Sequence, residues 1–182
     1  MSKESIALGV IAACRARGLG RNAAEAAIST IIAECGALVM YANDGNSTLN
    51  DAYLHRQLND DERAVARQSL NYDHQLVGRD LDSMGLFQQR PMSGWGPPNE
   101  LMDPEMSTGK FFDGAGGNRG LLRIADWESL PPWEAGRRVQ GSLPKDSWLY
   151  SDAYPQAVAI VDQYWGPVEF DILEWISNPN YA

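Results

Sequence analysis

Between Asp80 and Pro91 the chain reads Asp-Leu-Asp-Ser-Met-Gly-Leu-Phe-Gln-Gln-Arg-Pro, which puts carboxylates, a hydroxyl and side-chain amides into one short run. Met84, Leu86 and Phe87 are interleaved with them. A solvated loop has no use for the apolar members, and a core strand has little use for so many hydrogen-bonding tips. The mixture suits the wall of a groove that grips a long ligand rich in hydroxyl and amide groups, such as a glycan. Cutting a glycan calls for a carboxylic acid that still holds its proton near neutral pH and gives it to the glycosidic oxygen. Glu34 is the candidate. It lies in the last turn of an apolar helix, and helical spacing from Ile31 and to Leu38 sets it beside the buried stripe. Partial desolvation and the negative end of the helix both favour its neutral form. On pattern alone, an exposed glutamate at a helix end is the commoner reading of Glu34.

The elements that must position these groups follow from periodicity and punctuation. A first helix is expected over Ser5–Arg17, with Ile6, Val10, Ala13 and Cys14 on one face and Gly18 and Gly20 as its stop. Asn22 and Glu25 have the spacing of a capping box. The helix they would open carries Ala24, Ala27, Ile28, Ile31, Ile32 and Cys35 and ends at Gly36. Residues 42–79 form a polar insertion, too long for a bare loop, for which local structure or a lid is expected. Within it Asn43–Asn46 is a turn cluster, and Asp60–Leu70 a short helix with Leu58, Val65 and Leu70 inward. Residues 76–90 read as strand and turn, with Gly78 and Gly85 as bends. Gly94-Trp95-Gly96-Pro97-Pro98 excludes helix. Asp103-Pro104-Glu105 is a strong helix start, leading through Met106, Phe111 and Phe112 to the glycines at 114, 116 and 117. Further helices are expected over Arg119–Glu128, from Trp133 to Gly141 after Pro131-Pro132, and over Gln156–Tyr164. The fold class is therefore mainly α (α+β): a helical domain with one small antiparallel sheet or hairpin near residues 76–90.

Composition bounds the rest. The 182 residues fit a single domain spanning 1–182, and 21% charged with 44% hydrophobic residues is an ordinary globular balance. Fifteen basic against twenty-four acidic residues leave a net charge of −9, which argues against a nucleic-acid partner. The same acidity is slightly adverse to an anionic polymer. Cys14 and Cys35 cannot make a disulfide framework and are expected as buried thiols. The N-terminal stretch lacks the uninterrupted apolar region of a signal peptide, and no run approaches the ~20 apolar residues of a membrane span. The expectation is a protein made in the cytoplasm without membrane insertion. If its target lies outside, delivery must come from elsewhere, or the sequence belongs to a longer chain with further domains.

Glu34-Cys35-Gly36 followed by Ser83-Met84-Gly85-Leu86-Phe87-Gln88 resembles the lysozyme-like superfamily of lytic transglycosylases and goose-type lysozymes. There a Glu-Ser-Gly-like helix end precedes a Ser-x-Gly-Leu-(Met or Phe)-Gln strand. The longer order is closer still to peptidoglycan-cleaving domains of actinobacteria and their phages: Asp82 to Pro91, Gly94-Trp95-Gly96, Met102-Asp103-Pro104, and a later helix with Val139-Gln140. The matched segments span roughly residues 23–142. Cys35 stands where serine is common, and the separation of Glu34 from Asp80 exceeds that in compact relatives.

The resemblance implies a lysozyme-like fold and cleavage of peptidoglycan glycan strands, with Glu34 as catalytic acid, no metal and no cofactor. It implies a phage lysin, endolysin or virion-associated, made in the host cytoplasm and acting on the cell wall. Asp80 and Asp82 are the candidates for the second carboxylate that a lysozyme needs for its water; a lytic transglycosylase manages with one acid/base. Both also read as turn residues capping backbone amides. Ser83 and Gln88 match substrate-contacting positions, though Ser83 reads equally as a hydroxyl bonding the local backbone. Gln89 points to the opposite face, and Gln140 could line the cleft from the later helix but reads more simply as a solvated helix glutamine. Tyr41, Tyr72 and Trp95 could stack on sugar faces or pack in the core. Three rivals stand beside this. A cysteine nucleophile paired with His55 or His74 conflicts with both thiols lying at helix C-terminal ends, and a zinc amidase lacks close ligand spacing. The third is a wall-binding or phage tail assembly domain that keeps the fold without turnover.

Overall fold

The computed structural model of the protein describes residues 1–52 and 55–166. Tyr53 and Leu54, in the insertion, and the last part of the expected 1–182 domain lie outside the described residues. In chain order the elements are α1 (Lys3–Arg15), α2 (Arg21–Cys35), β1 (Tyr41–Asn43), α3 (Asp60–Gln68), β2 (Leu76–Gly78), α4 (Pro98–Leu101), α5 (Pro104–Asp113), β3 (Gly114–Ala115), β4 (Asn118–Arg119), α6 (Pro132–Gln140) and α7 (Ser147–Tyr164). The class is mainly helical with small sheets, as the sequence implies. Among the described residues no helix is long and apolar enough to cross a membrane.

Helix α2 organises the molecule. Ala23, Ala24, Ala26, Ala27, Ile28 and Ile31 on it are sealed from solvent, and a helix apolar on every side belongs in the centre. Helices α1, α6 and α7 pack around it. The α6 approach is backbone-close: a Cβ on Gly136 would sit 2.2 Å from Thr30 Oγ1 and 2.9 Å from the Ala26 carbonyl oxygen. The expected capping box does not form. Helix α2 starts two residues earlier, at Arg21 behind Gly20 as its N-cap in place of Asn22, and Glu25 instead accepts a 2.8 Å hydrogen bond from the Tyr154 hydroxyl of α7. A tertiary partner outcompetes the local cap. Both thiols are free and buried, as expected.

Two other helices depart from expectation. Helix α7 begins at Ser147 and runs through Pro155 rather than starting beyond it, because Tyr150, Ala153, Ala157 and Val161 bury a continuous face. Residues 119–128 are not a helix: they hold β4 and 3-10 turns, and Asp126 sits at φ 55°. Their apolar residues share no single face, Leu121 being fully buried and Leu122 exposed.

The small sheet also differs from the expected antiparallel hairpin. Strand β2 pairs in parallel with β1, Tyr41 opposite Leu76 and Asn43 opposite Gly78. Residues 79–90 form a wound loop with left-handed backbone at Leu81, Gly85 and Gln88 (φ 47°, 79° and 50°), closed by an antiparallel bridge between Met84 and Gln89. Phe87 from this loop stacks on Phe111 of α5 at 4.7 Å between centroids. Gly85 is fixed by sterics: its N–H donates to the Tyr41 carbonyl at 2.8 Å, and a Cβ would lie 2.3 Å from the Leu101 carbonyl oxygen. Gly85→Ala is expected to cost at least ~1–3 kcal/mol through the positive φ alone, a loss that thermal unfolding reads directly.

The insertion carries its own structure. Helix α3 has a complete capping box between Asn59 and Glu62, and the Arg56 guanidinium holds the Glu62 carboxyl down at about 2. Leu58 is inward as expected, but Leu70 is exposed and Ala66 takes the buried place. Asn43 ties the insertion to the loop, its Nδ2 donating to the carbonyls of Leu81 (3.2 Å) and Ser83 (3.0 Å).

Candidate active site

Where the end of α2 meets the wound loop and α6, a cleft of about 260 Å³ opens, lined by Glu34, Phe87, Gln88, Arg90, Ser93, Trp95, Asn118, Gln140 and Ser142. Gly36, left-handed at φ 74°, stops α2 two residues after Glu34 and leaves that side chain at the mouth of the buried stripe. Glu34 is half-buried. Its Oε1 accepts a short hydrogen bond from the Tyr150 hydroxyl. That hydroxyl also shares a 2.7 Å hydrogen bond with Ser142 Oγ. Burial raises the Glu34 pKa above the usual carboxylate range. Hydrogen bonds from Tyr150 and Gln140 pull it partly back, and the nearby negative charge of Asp80 adds to the rise. With Oε1 accepting from the Tyr150 hydroxyl, a proton on Glu34 is carried by the other oxygen. A carboxyl so placed is able to give up a proton as a general acid does.

Of the residues singled out in the sequence, Glu34, Gln88, Trp95 and Gln140 are brought together on this cleft. Gln88 Nε2 donates to the Gly85 carbonyl at 3.2 Å and to Cys35 Sγ at 3.8 Å. Gln140 Nε2 donates to the Phe87 carbonyl at 2.8 Å. Trp95 is largely buried and shows the cleft only a small part of its ring. Gln89, as expected, faces the other way, buried, with its Nε2 near the Ser107 carbonyl.

The remaining candidates lie elsewhere. Asp82 is fully buried and serves the scaffold: Oδ1 accepts from Arg90 Nε at 2.5 Å and Oδ2 from the Met92 N–H at 2.7 Å. The alternation argument failed because this segment is not a strand. Asp80 is exposed and reaches Glu34 only through its charge. Ser83 is buried and, with Tyr41, absent from the cleft lining, and Tyr72 is an exposed side chain of the insertion. Tyr41 spends its backbone on the Gly85 contact and its ring beside Gly78.

Sequence reasoning missed Tyr150, Ser142, Asn118 and Arg90. Tyr150 lies 116 residues from Glu34, and nothing in its local pattern distinguishes it from a core tyrosine. Tyr150→Phe tests its role. Loss of the hydroxyl removes a donor that stabilises the carboxylate, so the Glu34 pKa rises further. A general acid works while protonated, so the alkaline limb of the pH–rate profile should move to higher pH. A merely structural tyrosine would leave that limb in place.

The thiol alternative loses support here. Burial pushes both Cys14 and Cys35 up to about 12, far from a thiolate at neutral pH. The described residues hold no cluster of three metal-binding side chains. A larger depression of about 700 Å³ between α1, α4 and α5 has its cations in ion pairs, Arg17 with Asp113 and Lys110 with Glu100. Searched against protein-family models and against curated proteins, the chain matches none.

Proposed function

We propose that this protein cleaves peptidoglycan glycan strands at the β-1,4 bond between N-acetylmuramic acid and N-acetylglucosamine, with Glu34 as acid/base. The observation that carries the reading is a half-buried carboxyl biased toward its neutral form, held at one oxygen by Tyr150, on a cleft walled by side-chain amides. In the first step the Glu34 proton passes to the glycosidic oxygen as the C1–O bond breaks, leaving the muramyl C1 electron-poor and Glu34 anionic. In the second, the carboxylate takes a proton from the incoming hydroxyl, which closes onto C1. Glu34 is the only carboxylate among the described lining residues, and Asp82 is bound to Arg90. This favours attack by the muramyl C6 hydroxyl over addition of an activated water, so the proposed activity is that of a lytic transglycosylase rather than a muramidase. A role as a phage lysin rests on the family resemblance.

Mass spectrometry of products from purified walls tests both halves. Muropeptides ending in 1,6-anhydromuramic acid are expected; reducing ends would identify a hydrolase. No release by wild type would favour the non-catalytic wall-binding or tail-assembly reading.

A further inference from the structure

Three amide side chains line the cleft, and each turns its nitrogen toward the protein. Asn118 Nδ2 donates to the carbonyls of Ser93 (2.7 Å) and Ala115 (2.9 Å), Gln88 Nε2 to that of Gly85, and Gln140 Nε2 to that of Phe87. Backbone carbonyls only accept, so these contacts fix which arm of each amide is nitrogen. The second N–H is used as well at Gln88, by Cys35 Sγ, and at Gln140 the amide lies near Glu34 and helps hold its pKa down. What remains on offer from all three is the oxygen, and no group among the described residues donates to it.

Arg90, the one cation among the described lining residues, does not reverse this bias. It is clamped between Asp82 and Asp51, each at 2.5 Å, so its charge is compensated, on a chain of net charge −9. Acceptor oxygens on one cleft, without uncompensated positive charge beside them, suit a ligand rich in donors, and above all a protonated amine.

We infer that the cleft prefers glycan strands in which N-acetyl groups have been removed, the free ammonium of glucosamine being bound by the amide oxygens of Gln88, Asn118 and Gln140. This rests on the glycan-cleaving reading above and names its substrate class. It also gives the acidity of the chain a use, which an anionic wall polymer does not.

Calorimetric titration with the tetramer of glucosamine and with the tetramer of N-acetylglucosamine reads recognition without turnover. The amine tetramer should bind about tenfold tighter or more, the weight of hydrogen bonds to a charged group. Gln88→Met and, separately, Asn118→Leu should each erode that preference. Equal or tighter binding of the acetylated tetramer overturns the inference. So does a preference that survives in both variants, which would belong to the net charge of the chain. A parallel assay compares glycan release from partially de-N-acetylated walls with release from the same walls after chemical re-acetylation, and needs no variant. Faster release from the amine-bearing walls supports the inference. Cleavage of both at one rate sinks it and leaves the proposed activity standing. Release from neither, with the binding preference intact, sinks the proposed activity and leaves the recognition standing.

Discussion

Glu34→Gln is expected to lower glycan release by a factor of about 10²–10⁴, the usual weight of a positioned general acid. The substitution isolates the proton. Glutamine keeps an oxygen that accepts from the Tyr150 hydroxyl and nearly the same volume at the end of α2, but it has no proton to give. Loss of activity through misfolding is excluded by a second reading of the same variant. Burial raises the folded-state pKa of Glu34, so the fold favours its protonated form. The stability tied to that protonation is complete below the unfolded value and disappears as pH rises through the raised folded value. Above it, wild type carries a half-buried anion that the variant lacks. Glu34→Gln should therefore melt higher than wild type at neutral and alkaline pH, and the gap should close on acidification. Activity down with stability up is the signature of a strained functional carboxyl. A variant that melts lower at every pH, or that still releases muropeptides at the wild-type rate, would remove Glu34 from the acid role.

Asp82→Ala should produce the largest loss of stability in the cleft region. The carboxylate is fully buried and holds both Arg90 Nε and the Met92 N–H. Its removal leaves a partly buried guanidinium with Asp51 as its remaining ion-pair partner and a backbone donor without an acceptor. Breaking one side of a buried pair costs ~3–5 kcal/mol, which in a domain of this size lowers the melting temperature by roughly 6–20 °C. Asp82→Asn should recover part of this, because its oxygen still accepts one hydrogen bond. Activity per folded molecule decides between scaffold and catalysis. Asp82→Asn should retain most of it at a temperature where it is folded, whereas a second catalytic carboxylate would lose it with little change in melting. The effect should also reach the insertion, since Arg90 joins Asp82 to Asp51 there.

Periodicity and punctuation were enough for the helices that bury one stripe and stop at a glycine or start at an Asp-Pro pair. Helix α2 ends at Gly36 because a left-handed residue without a side chain is the cheapest way to stop. Helix α5 starts after Asp103 because that carboxylate caps the Met106 N–H at 2.8 Å. Such signals act within a turn or two, so the chain states them locally. Glu34 was legible in the same way, as a polar residue on the edge of a buried stripe, whereas Gln88, Trp95 and Gln140 were marked out by the motifs of the family resemblance.

Contacts between distant segments decided the remainder. A glutamate caps its own backbone only if the helix starts three residues before it, and α2 starts earlier, behind Gly20, so Glu25 faces Tyr154 of α7 instead. A proline ends a helix unless the faces on both sides of it are buried together, as they are around Pro155. Two aspartates flanking Leu81 look equivalent in sequence. Which one is sealed against Arg90 and which faces water depends on how residues 79–90 are wound, and that winding is set by Tyr41, Asn43 and Leu101. Tyr150 meets Glu34 only when α7 lies across α2. Local free-energy preferences wrote the helices; the site was assembled by packing, where desolvation and the need to pair every buried polar group outweigh them.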